Sequence, residues 1–120
     1  MADAGLFIGW GAPVRGREAK GLEVFSEALA YYARLQQEGV IEGFETAILE
    51  PHGGDLQGFV LVRGSEARLA QLRVDDEFVR LSTRASLIVE GVGVGVIGAA
   101  LGDGLEEAIG TYQQAISELT

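Results

Sequence analysis

The chain has 120 residues, 48% of them hydrophobic, and carries 18 acidic against 9 basic side chains for a formal net charge of −9. That length suits one domain, residues 1–120, able to bury a core without disulfides or metals. The negative field opposes nucleic-acid phosphates and anionic lipid headgroups, so neither nucleic acid nor a membrane is an expected partner. The lack of cysteine excludes a disulfide framework, a thiolate nucleophile and Cys-based metal sites. The opening Met1-Ala2-Asp3-Ala4-Gly5 leads into no long apolar core and no apolar run approaches a membrane span, so a soluble, cytoplasmic protein is the expectation.

Leu6-Phe7-Ile8-Gly9-Trp10 is a short apolar run ended by Gly11, Ala12 and Pro13, the pattern of a buried strand entering a loop. From Arg17 to Gln37, Leu22, Phe25, Leu29 and Tyr32 recur at helical steps and Gly39 stands where a helix stops. Gly21 is the weak point of that helix, costing about 1 kcal/mol against alanine. Phe44 to Glu50 and Gln57 to Arg63 alternate as strands around the turn-rich Pro51-His52-Gly53-Gly54-Asp55, which predicts an antiparallel pair. Ser65 offers an N-cap before Leu69 and Leu72, and Asp75 another before Phe78, Leu81, Ala85 and Ile88, so the second helical region is expected to break near Val74. Val92 to Ile97 alternates valine with glycine as a fourth strand. Asp103 with Glu106 resembles a capping box opening a last helix, whose Leu105, Ile109, Tyr112, Ile116 and Leu119 form an apolar stripe.

The order is strand–helix–strand twice over, Leu6 to Leu49 and Gly58 to Gly98, with a terminal helix added. Two such split units place four strands in one antiparallel sheet with the helices on one face. Strand one carries Leu6, Ile8 and Trp10 on one side and Phe7 on the other, so neither face suits water and a second subunit, the last helix, or both should cover the open one. In this pattern the chain resembles the dimeric α+β barrel superfamily, α+β proteins in which two ferredoxin-like subunits pack sheet on sheet. It also resembles small bacterial proteins sharing stretches like Phe7-Ile8-Gly9-Trp10-Gly11, Leu49-Glu50-Pro51-His52-Gly53-Gly54 and Arg84-Ala85-Ser86-Leu87-Ile88-Val89. The resemblance implies a ferredoxin-like β-α-β-β-α-β core over 5–99, a C-terminal helix over 103–120, and a homodimer. The superfamily includes cofactor-free monooxygenases, isomerase-like enzymes, haem-degrading enzymes and simple ligand binders, so it constrains shape more than chemistry.

Gly11 to Glu18 has the glycine spacing of a P-loop, but Arg17 takes the lysine position and Glu18 the magnesium-binding Ser/Thr position. Arg15 and Arg17 remain candidates for holding a carboxylate or single phosphate at the helix entry, against the plainer reading of solvated charges. Gly93-Val94-Gly95-Val96-Ile97-Gly98 matches the dinucleotide glycine pattern, yet the chain after it lacks room for the crossover helix and acidic strand end the pattern requires. His52 is the only histidine, too few for an ordinary zinc site, and serves either as a proton-handling residue beside Glu50 or Asp55 or as part of a glycine-rich turn. Trp10, Tyr31, Tyr32 and Phe59 are candidate walls of a cleft between sheet and helices, or plain core. Glu45, Glu50, Arg63 and Arg84 are candidates for an ion pair or acid–base pair.

The leading expectation is a small soluble homodimer that holds an apolar or aromatic ligand between sheet and helices, with no cofactor and no metal. The alternatives are a cofactor-independent monooxygenase or isomerase-like enzyme using His52 or Tyr31 near Trp10, and a haem-binding or haem-degrading protein. The terminal helix packs either on its own subunit or across to the partner.

Overall fold

The computed structural model describes residues 4–98 and 103–120. Its elements run β1 (Ala4–Trp10), α1 (Glu18–Gln37), β2 (Gly43–Ile48), β3 (Gly58–Gly64), α2 (Glu66–Arg73), α3 (Asp76–Ser86), β4 (Gly93–Gly98) and α4 (Asp103–Leu119). The strands form one sheet in the order β2-β3-β1-β4, every neighbouring pair antiparallel. This is a ferredoxin-like α+β fold.

Register assigns the faces. Leu6 stands opposite Val62 and Ile8 opposite Val60, and the four are buried beneath the helices. Tyr31, Tyr32 and Leu35 of α1, Leu69 and Leu72 of α2, and Phe78 and Leu81 of α3 close the core over them. On the opposite face Phe7 and Phe59 stack with centroids 5.4 Å apart, beside half-buried Leu61 and an ion pair between Glu45 and Arg63.

The second helical region breaks at the expected place. Ser65 caps α2 by accepting from the Arg68 backbone N–H at 3.2 Å, and Val74 ends it. Asp75 is the N-cap residue of α3 but makes no side-chain capping bond; its Oδ2 accepts a hydrogen bond from the Tyr31 hydroxyl at 3.1 Å. Helix α3 stops at Ser86, so Ile88 is buried from the segment that follows rather than from the helix.

The expected apolar face of α1 is rotated. Val24, Tyr31, Tyr32 and Leu35 are its buried residues, whereas Leu22 is 70% exposed. The Leu22–Phe25 side does not meet packed core; it borders an open cavity. In α4, Leu105, Ile109, Tyr112, Ile116 and Leu119 are all exposed, so its apolar stripe is left unburied in the single chain. The boundary of the expected core at residue 99, and Leu101 and Gly102 of the expected connection, lie outside the described residues, whereas Asp103, expected as the cap, is already the first residue of α4.

Leu69 is fully buried between α2 and the sheet. Leu69→Ala should cost about 2–5 kcal/mol in urea unfolding by lost burial plus the cavity left behind; an unchanged transition would show that the helical layer is not packed as described.

Candidate functional site

Between α1, α3 and the helix-facing side of the sheet lies an apolar cavity of about 510 Å³. Its floor is Ile8 and Trp10 of β1 with Val60 of β3 and Ile48 of β2. One wall is Leu22, Phe25, Ala28 and Tyr32 of α1; the other is Leu81, Ser82 and Ala85 of α3, continued by Ile88, Val89 and Val92.

The rim is built by backbone pairing. As the chain leaves β1, Gly11 N–H donates to the Glu90 carbonyl at 2.6 Å, Val14 N–H to Ile88 at 2.7 Å, and Glu90 N–H returns to Ala12 at 2.8 Å. A Cβ on Gly11 would stand 2.9 Å from the Glu90 carbonyl oxygen, so only glycine permits that approach. Trp10 is placed by a second glycine. It pairs with Gly58 in register, and its indole lies where a Gly58 Cβ would be, at 2.7 Å. The indole and the Phe25 ring pack in a T-shaped arrangement with centroids 5.7 Å apart.

The helices are tied along their outer seam by polar contacts. Glu27, Tyr31 and Arg34 recur on one side of α1 at steps of four and three. Glu27 pairs with Arg84, Tyr31 donates to Asp75 at 3.1 Å, and Arg34 donates to Glu77 at 2.6 Å while lying over the Tyr31 ring. These groups serve the seam, not the cavity.

The candidate residues therefore divide. Trp10 and Tyr32 line the cavity. Tyr31 is next to Tyr32 but its hydroxyl is held in the seam by Asp75. Phe59 is on the other face of the sheet, stacked on Phe7. His52 is exposed, with Nε2 donating to the Leu56 carbonyl at 2.6 Å and Nδ1 accepting from Gly54 N–H at 3.3 Å. Both ring nitrogens are spent on the turn, which serves as the histidine's local frame. Arg15 and Arg17 are exposed at the entry to α1, where Glu18 already accepts the Gly16 N–H at 2.9 Å and puts a negative charge in the place an anion would take. The glycines from Gly93 to Gly98 lie in β4, as a strand and not a phosphate-binding turn.

Sequence reasoning passed over Phe25 and Ala28, and with them the wall from Leu81 to Val92. The available signal was the Leu22–Phe25–Leu29 periodicity itself, which marks an apolar face but does not distinguish filled core from a lined space.

The ferredoxin-like class fits what solved structures of this kind are. The chain is similar to a dimeric ferredoxin-like protein of unknown function from Jannaschia, at 15% identity and TM-score 0.59, over 78% of this chain and 95% of that one. It is similar to a dimeric protein of unknown function and ferredoxin-like fold from Bacteroides fragilis, at 11% identity and TM-score 0.57, over 78% and 94%. It is also similar to SnoaB, a cofactor-independent oxygenase from Streptomyces nogalater, at 18% identity and TM-score 0.54, over 82% and 94%. These likenesses show a shared ferredoxin-like fold. No family model matches the chain, and no curated protein matches it.

Burial pushes the Tyr32 phenol up from its ordinary value of 10.0 to about 12, and burial followed by the Asp75 contact pushes Tyr31 up as well. A raised folded-state value means the neutral phenol is the form that fits, so the associated stability is complete below pH 10 and is lost as the pH climbs toward about 12. Urea unfolding at pH 9 and again near pH 11.5 should show Tyr32→Phe losing about 2 kcal/mol less than wild type across that interval. Equal losses would place the Tyr32 ring in a wetter setting than its burial implies.

Proposed function

We propose that the protein is a homodimer that binds a small, largely apolar molecule in the cavity between sheet and helices. The observation that carries this reading is the cavity itself: about 510 Å³, walled by Ile8, Trp10, Phe25 and Val60, with few polar groups. Ligand sites are typically about 300–1,000 Å³ and are built in this way, with apolar walls and a small number of placed polar atoms. Chain association is supported by the fold shared with two proteins described as dimeric. The surface suited to it is the open sheet face, where Phe7, Phe59 and Leu61 stay half-buried in a single chain. The terminal stripe of α4 offers a further apolar surface to the same assembly.

The enzymatic reading draws on the fold shared with SnoaB. Among the described residues the cavity is lined by no histidine, lysine or arginine, so any proton transfer there would fall to Tyr32 or Glu18.

Trp10 is the only tryptophan and lines the cavity, so its emission reports occupancy. Titration with decalin, which is transparent where tryptophan absorbs, should change that emission saturably. Ala28→Phe, which fills the cavity from α1, should weaken binding at least about tenfold, as loss of the buried ligand volume requires. A linear, unsaturable response would overturn the ligand-binding reading. For assembly, sedimentation at micromolar concentration should give a dimer, and Phe59→Arg should give a folded monomer by placing a charge in the apolar patch. A wild-type monomer would overturn that half of the proposal.

A further inference from the structure

Resting on the cavity as a ligand site, we infer that Tyr32 is its specificity-determining hydrogen-bond donor, and that the ligand is a neutral, largely apolar molecule presenting one carbonyl-type oxygen. Tyr31 and Tyr32 are equally hidden, at 3% and 4% exposure, yet their hydroxyls are treated differently. Tyr31 donates to Asp75 at 3.1 Å. Tyr32 packs its ring between Tyr31 and Phe44 and has no hydrogen-bond partner for its hydroxyl among the described residues.

A buried hydroxyl without a partner is costly, and proteins leave few of them. Among the described residues no fully enclosed side-chain polar atom lacks a partner, so the Tyr32 hydroxyl is not fully enclosed, and Tyr32 is a member of the cavity lining. The other polar members of the lining differ in position. Gln57 and Glu18 are exposed, while Ser82 and Trp10, whose indole N–H can also donate, are half-buried. Tyr32 is the most enclosed of these polar-tipped side chains, and an acceptor carried in on an apolar body gains most from a donor held where water is scarce.

Charge narrows the class further. Among the described residues Glu18 is the charged residue of the lining and no cationic side chain belongs to it, within a chain of net charge −9. A carboxylate or phosphate would enter with no counter-charge, whereas a ketone, ester or ether oxygen needs only the phenol.

The test compares 2-decalone with decalin, two bodies of nearly the same shape that differ by one carbonyl. Affinities are read from Trp10 emission in wild type and in Tyr32→Phe. The preference for the ketone should be about 3- to 10-fold greater in wild type than in the variant, the range expected for one hydrogen bond. Decalin affinity, which makes no use of the hydroxyl, should stay within about twofold between the two proteins, and this also shows that the variant is folded. If both compounds saturate both proteins with the same ratio, the donor assignment is overturned while the cavity remains a ligand site. If neither compound saturates wild type, the ligand-site reading falls and the assignment with it. A variant-free measurement is the infrared carbonyl stretch of 2-decalone bound to wild type. It should lie at lower wavenumber than in hexane; an unshifted band would overturn the assignment without recourse to the variant.

Discussion

The structure depends on how α1 and α3 are joined. Their seam is drawn together on the outside by Glu27 with Arg84, Tyr31 with Asp75 and Arg34 with Glu77. These contacts fix the spacing of the helices along an edge that water reaches, so the space beneath need not be filled to hold them in place. Toward the α2 end, Tyr31, Leu35, Leu69 and Phe78 pack densely over the sheet. Toward the other end, small residues line the space, Ala28 on α1 and Ala85 on α3, and the layer opens into the cavity. One helical layer is thus solid core at one end and a lined space at the other.

The same sheet meets two different demands. Its helix-facing side is closed by three helices of its own chain, and its other side carries an aromatic pair, a leucine and one ion pair. Aromatic and aliphatic surface of that kind is stabilised by removal from water, whereas the Glu45–Arg63 pair tolerates solvent and marks a polar edge. An apolar centre beside a charged margin is the usual anatomy of a protein interface. In the proposed reading a ligand and a partner subunit would address opposite faces of the sheet, and the inner strand β1 would contribute to both through alternate residues.

That alternation explains what was legible in the sequence. Element order, the break near Val74 and the turn around His52 follow from local chemistry: a serine cap, a valine ending a helix, and glycines flanking an imidazole. The site was only partly legible because its membership is decided by register and helix rotation. Trp10 pairs with Gly58, which puts neighbouring Phe59 on the far face; a slip of one residue would exchange them. Tyr31 and Tyr32 are adjacent in sequence, but the helical step turns one hydroxyl to the seam and the other ring toward the cavity. The face led by Leu22 has helical periodicity without core burial, because what it borders is open. No pattern of apolar residues separates those two cases.

Along the helix-facing side of β1, burial relaxes in steps. Ala4 and Leu6 are fully enclosed, Ile8 is 8% exposed, and Trp10 is half-buried at the strand's end. The core does not stop there by running out of apolar residues, since tryptophan is the largest of them. It stops because glycine at 58 leaves the indole lying across bare backbone, and because Gly11 then turns the chain to meet Glu90. The rim is held by backbone hydrogen bonds, which apart from the glycine required at position 11 depend little on side-chain identity, while the floor is held by packing, which depends on it strongly. Change in the cavity walls can therefore alter what the space accepts without loosening its frame. That separation would let one ferredoxin-like body keep its architecture while the lining of the space varies.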